Sequence, residues 1–148
     1  MSAEESLRKT IKLMTITPYI MFNGNCEAAL NFYTKTFGGE IKHLQRFEGS
    51  PAEDMSADKQ KVMHAHFEAK GILFMASDGQ EQEANGGMIH LSINFETAGE
   101  IDTLFNALCE GANITMPLQD TFWGARFGML TDRFGVNWMF NYDKPKSS

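Results

Sequence analysis

The sequence predicts an α+β fold in which two βαβββ modules form a cupped mixed sheet around a cavity. Three observations predict it. In MIHLSINF the apolar Ile89, Leu91, Ile93 and Phe95 alternate with the polar His90, Ser92 and Asn94, the pattern of a strand with one core face. Cys26, Ala29, Leu30, Tyr33 and Phe37 recur at helical spacing over about three turns. The order strand, helix, three strands then occurs twice: Pro18 and His90, Phe32-Tyr33 and Leu104-Phe105, and Gly39 and Gly111 are each 72 residues apart.

Taken in order, ITPYIMFNG (Ile16 to Gly24) reads as the first strand, closed by a turn-forming Asn-Gly-Asn. Asn25 is placed to cap the helix that follows, and Gly38-Gly39 to end it. Extended segments run from Glu40 to Phe47, Val62 to Ala69 and Ile72 to Ser77, the last two joined by Lys70-Gly71 at hairpin spacing. Between the first two, EGSPAEDMSADKQK is acidic and aperiodic, as a mobile surface loop would be. After the polar SDGQEQEANGG, the second module opens on MIHLSINF. Thr97 to Glu100 form a capping box, and Ile101, Leu104, Phe105 and Leu108 make the helical stripe before Gly111. Short strands are expected around Ile114 to Leu118, Arg126 to Asp132 and Val136 to Tyr142. The expected organisation is an extension over 1–13, one domain over 14–143 with modules at 14–78 and 86–143, and a tail over 144–148. One helix covers only one face of each sheet, so pairing two modules is expected to enclose a cavity lined by both.

A single domain of 148 residues buries roughly 70% of the surface it exposes when unfolded. A net charge of −6, with no Lys/Arg cluster larger than a pair, argues against nucleic acid as a partner. No run approaches the ~20 apolar residues of a membrane span, and the first residues lack a signal-peptide pattern, so a soluble cytoplasmic protein is expected. Cys26 and Cys109 fall on apolar helical stripes without metal-type spacing and read as buried free thiols.

ITPYIMFNGNCEAALNFYTKTFGGE (16–40), VMHAHFEAKGILFMASD (62–78) and DTFWGARFGMLTDRFGVNWMFN (120–141) together resemble the vicinal oxygen chelate superfamily of glyoxalases, bleomycin resistance proteins and dioxygenases. Within it the chain looks like the PhnB-like branch, also labelled 3-demethylubiquinone methyltransferase-like. A Rossmann-type methyltransferase needs a glycine-rich loop between strand and helix, and no GxGxxG-like run occurs. The resemblance implies a homodimer and, in the superfamily's metalloenzymes, one metal ligand on the first and fourth strand of each module. Those positions fall here at Pro18, near Phe74, at His90 and at Met139. Only His90 suits a hard divalent ion, so no metal and no cofactor are expected at the inherited site.

The expected lining is then Pro18, Ile20, Phe22, Phe74, Met139 and Trp123, with His64, His90, Ser92, Asn94, Asn137 and Asn141 as polar points: a pocket for a small aromatic or amphipathic molecule. In DTFWGARFG, Phe122 and Trp123 are placed to stack on a flat ligand and Arg126 to meet its anionic group, with Asp120 near enough to pair with Arg126. Two other readings stay open. His64 and His66, at i and i+2 on one strand, share a face, and with His90 they suggest a non-standard metal site in a lyase, isomerase or oxygenase. A dimeric interaction protein without a ligand is the other. His43, between charged neighbours, is expected at the surface.

Overall fold

The computed structural model describes residues 2–3, 16–79 and 89–146. Most of the expected extension, the domain's first residues and the start of the second module at 86–88 lie outside the described residues. The elements are β1 (Tyr19–Phe22), α1 (Cys26–Phe37), β2 (Glu40–Arg46), a single 3-10 turn (Glu53–Met55), β3 (Val62–Ala69) and β4 (Ile72–Asp78), then β5 (Leu91–Phe95), α2 (Ala98–Leu108), β6 (Asn113–Asp120), β7 (Ala125–Thr131) and β8 (Asn137–Asp143). Both halves are βαβββ units, as expected.

Each unit makes its own four-stranded mixed sheet, in the orders β1-β4-β3-β2 and β5-β8-β7-β6. The first strand runs parallel to the fourth because the helix carries the chain back across the sheet, and the remaining pairs are antiparallel. The 72-residue spacing holds through the helices, which begin at Cys26 and Ala98. It fails afterwards, since the loop between β2 and β3 is far longer than that between β6 and β7.

The helix ends follow local chemistry with one exception. Thr97 accepts from the Glu100 N–H as the capping box predicts, and Gly38 ends α1 in the left-handed region at φ 74° with its N–H on the Thr34 carbonyl. Asn25 gives no side-chain cap. The Cys26 N–H donates instead to Oδ1 of the buried Asp78, 2.8 Å away, and Asp78 Oδ2 accepts from the Val62 N–H at 2.8 Å. A carboxylate from β4 thus caps the helix across the fold.

One hydrophobic core spans both modules. Tyr33 of α1 packs on Phe67 and Phe74 of the first sheet and, on its other side, on Trp138 of the second. Its hydroxyl donates to Asp132 Oδ2 at 2.5 Å. Phe37 also meets Trp138, and Phe134, in the β7–β8 turn, meets Phe22 and Phe32. Here helix lies between sheet and sheet. The helix-covered faces therefore turn toward each other, and the bare faces turn away from the shared core. As expected, the two modules still meet around a cavity, lined by Pro18 and Phe74 of the first and by His90 and Ser92 of the second.

Candidate functional site

Directly opposite residues in a register share a face, so the pairings sort every strand position. On the first sheet Tyr19 lies opposite Met75 and Met75 opposite His66, with Lys42 beyond. Met21 lies opposite Ser77. The bare face of this sheet thus carries Tyr19, Met21, Met75, His64 and His66. Phe22, expected in the cavity, is 3% exposed and belongs to the core, whereas Phe74, 1% exposed, packs in the core and also lines the seam cavity with Pro18 and His90. Pro18 and Ile20 share the parity of Phe22. The inversion has a simple origin: carrying the helices' 72-residue spacing back into the first strands pairs Pro18 with His90, whereas Phe22 and Phe95 are the buried ends of β1 and β5. A slip of one residue sends every side chain of a strand to the opposite face.

On the second sheet the expected face is the observed one. Ser92 lies opposite Met139 and Met139 opposite Met129, while Asn94 lies opposite Asn141 and Asn141 opposite Phe127. Trp123, from the β6–β7 loop, reaches this face, its ring 6.1 Å from that of Phe127. Trp123, Phe127, Met129 and Met139 make an apolar strip edged by uncharged hydrogen-bonding groups. Asn141 Nδ2 donates to Asn94 Oδ1 at 3.2 Å, which fixes its orientation. Asn137 is spent locally, accepting from Thr131 Oγ1 at 2.7 Å and donating to the Ile89 carbonyl at 3.1 Å.

Arg126 does not face this strip. Its Nε donates to Asp102 Oδ1 on α2 at 2.7 Å, and its Nη1 pairs with Asp120 at 3.2 Å. Both hydrogen bonds hold the guanidinium's charge, and Lys144 together with Arg126 holds the Asp120 carboxyl below its ordinary range. The expected Asp120–Arg126 pair is present, but Arg126 braces helix to loop instead of awaiting an anion. Phe122 is 97% exposed beside Trp123 at the loop tip.

His90 lines a cavity of about 750 Å³ at the seam between modules, together with Phe37, Phe74 and Trp138 from the core and Ser92 and Asn94 from β5. It does not join His64 and His66, which sit on the other sheet. Their neighbour is His43: the His43 and His66 ring centroids are 5.0 Å apart, and those of His64 and His66 are 4.9 Å apart. Tyr19 Oη is 3.1 Å from His64 Nδ1. Burial, then the charges of His66 and His43, push the His64 imidazole below its ordinary pKa. Among the described residues no three His, Cys, Asp or Glu side chains gather as a metal site. The bare-face positions of β1, β4, β5 and β8 carry tyrosine, methionine, leucine, serine and asparagine, with the single imidazole of His90 just before β5 and Asp143 at the last position of β8. That set does not fit a hard divalent ion. Cys26 is no nucleophile: burial, then Asp78 and Glu27, push its thiol up to about 12.

Residue chemistry alone missed Tyr19, His43, Phe127 and Met129. Tyr19 and His43 are hidden by parity, and Phe127 and Met129 by a register on β7 that only the folded sheet fixes.

Two βαβββ modules, each with one helix on one face of a mixed sheet, define the glyoxalase-type fold. It is shared with the fosfomycin resistance protein FosX of Listeria monocytogenes at a TM-score of 0.63 and 12% identity, over 90% of this chain and 96% of that one. Within that fold the chain belongs to the family described as 3-demethylubiquinone-9 3-methyltransferase, which matches residues 14–140. The chain is 42% identical to protein PA1353 from Pseudomonas aeruginosa, with a TM-score of 0.79 over 90% of this chain and all 100% of that one. To the PhnB protein from Bacillus cereus it is 34% identical, with a TM-score of 0.73 over 87% and 99% of the two chains. Among the described residues no helix is long and apolar enough to cross a membrane.

Proposed function

We propose that this chain binds a small aromatic or amphipathic molecule on the bare face of its second sheet, without the divalent ion of the superfamily's metalloenzymes, and that a second copy supplies its first-sheet face as the opposite wall. The observation that carries this reading is the strip of Trp123, Phe127, Met129 and Met139 bordered by Ser92, Asn94 and Asn141. Apolar walls with a few oriented polar groups are what a small-molecule site requires. The helices are consumed in the shared core; Trp123 is 56% exposed at the strip's edge, and Phe127, Met129 and Met139 are half-buried. Tyr19, Met21 and Leu73, exposed by 42%, 62% and 49%, give the first sheet an apolar bare face of its own. A homodimer pairing unlike faces would enclose both. The family's description names a methyltransferase, but the strand-to-helix connections Asn23–Asn25 and Glu96–Thr97 offer no glycine-rich phosphate cradle.

The test is native mass spectrometry and thermal shift against a library of planar aromatic compounds, with sedimentation to fix the oligomer. Binding should raise Tm in the dimer, and Trp123→Ala should weaken it by about tenfold, as loss of an aromatic anchor does. A ligand held equally well by Trp123→Ala, or by a monomer, would overturn the reading.

A further inference from the structure

Three histidines crowd the bare face of the first sheet. His64 and His66 share it because they are two residues apart on β3. His43 reaches it by an irregularity. Lys42 lies opposite His66 and Gln45 opposite His64, so β2 carries three steps against two on β3, and the extra residue is a β-bulge. His43, within it, has φ 56° and is the only non-glycine at positive φ among the described residues. Left-handed backbone there keeps Ile41 and Leu44 packed on the core while swinging an imidazole toward His66.

We propose that His43, His64 and His66 form a two-ligand site for a borderline divalent transition metal such as Zn²⁺, with His66 the member common to two alternative imidazole pairs. Two imidazoles on one zinc, each with Zn–N of about 2.0–2.1 Å, have ring centroids about 5 Å apart at tetrahedral angles. The observed separations are 4.9 Å for His64–His66 and 5.0 Å for His43–His66. Among the described residues no three imidazoles converge, so each pair would supply two ligands only and the remaining positions would fall to water. Imidazole nitrogen favours zinc, copper and nickel over magnesium or calcium. Tyr19 supplies the outer contact: its Oη lies 3.1 Å from His64 Nδ1, and in the tautomer that carries the proton on Nδ1 the Nε2 lone pair is left to ligate. This site differs from the inherited one, which would use the first and fourth strands.

Calorimetric titration of the full chain with ZnCl₂, in a buffer that does not chelate, tests it. The unaltered chain should bind zinc, and His66→Ala should lose affinity by at least about tenfold because both pairs fail. His43→Ala and His64→Ala each leave one pair and should lose less than His66→Ala. His90→Ala, on the other sheet, and Cys109→Ser should titrate as the unaltered chain does. If His66→Ala lowers Tm, His66→Gln, which keeps the side chain's bulk, decides the matter. No zinc uptake by the unaltered chain, or equal uptake by the His66 variants, overturns the proposal.

Discussion

Position 43 holds a histidine where a left-handed β-bulge residue is ordinarily glycine. An L-residue there costs roughly 1–2 kcal/mol of backbone strain, while glycine would give up about 0.5–1 kcal/mol through its greater freedom in the unfolded chain. His43→Gly should therefore raise stability by about 0.5–1 kcal/mol, read as a higher urea midpoint with an unchanged slope. A lower midpoint would mean that the exposed imidazole contributes packing which outweighs the strain. The expectation of a surface histidine at 43 was right about exposure and silent about direction. Counting residues along β2 places Leu44 and Gln45 on the wrong face, and nothing in EIKHLQR marks where the extra residue enters.

Elements fixed by their own local pattern were legible, and those fixed by a partner were not. The stripes on α1 and α2, the Thr97 side-chain cap and the alternation of β5 are all present where the residues place them. Asn25 was expected to cap α1 because its type and position suit it, but Asp78 takes the Cys26 N–H from 52 residues away, a contact no local window contains. The face of β1 failed for a related reason. Its four residues are too few to declare parity on their own. Gly128 was likewise unremarkable in sequence, yet a Cβ built on it would stand 2.8 Å from Phe105 Cε2 and 3.0 Å from Leu118 Cα. The ring of Phe105 on α2 rests on β7 at that point, and the adjacent backbone of β6 cannot swing aside. Gly128→Ala should destabilise by about 1–3 kcal/mol, the range for overpacking a core. Thermal unfolding checks it, and a Tm within a degree of the unaltered chain would show that helix and strand separate more readily than their contact implies.

At the scale of the whole molecule, the two modules are joined by one buried carboxylate as well as by apolar packing. Asp132, 4% exposed, accepts from the Phe134 and Val136 N–H groups at 2.9 and 3.0 Å, from Trp138 Nε1 at 2.9 Å and from Tyr33 Oη at 2.5 Å. Only Tyr33 comes from the first module. The twofold order of elements was legible in the sequence, but the sense in which the modules join was not, because a polar pair separated by 99 residues leaves no periodic trace. Tyr33→Phe keeps the ring among Phe67, Phe74 and Trp138 and removes one donor of four, so it should cost about 1–2 kcal/mol at neutral pH. The pH dependence sharpens the test. Burial, then the adjacent Asp132 carboxylate, raise the Tyr33 pKa above its ordinary 10.0, and burial first raises Cys26 from 9.0 to about 12. Groups whose folded pKa is raised contribute stability that is complete below their unfolded values and is lost as the pH climbs past them, because the unfolded chain gives up its protons first. Urea unfolding should therefore show little change up to about pH 8 and a falling stability from about pH 9 to about pH 10.5. In Tyr33→Phe the phenol is gone and only the Cys26 share of that loss remains, so its stability should decline more gently and the gap between the two proteins should narrow toward high pH. A gap that stays constant from neutral to alkaline pH would mean that the Tyr33 proton is not what ties the second module's carboxylate to the first module's helix.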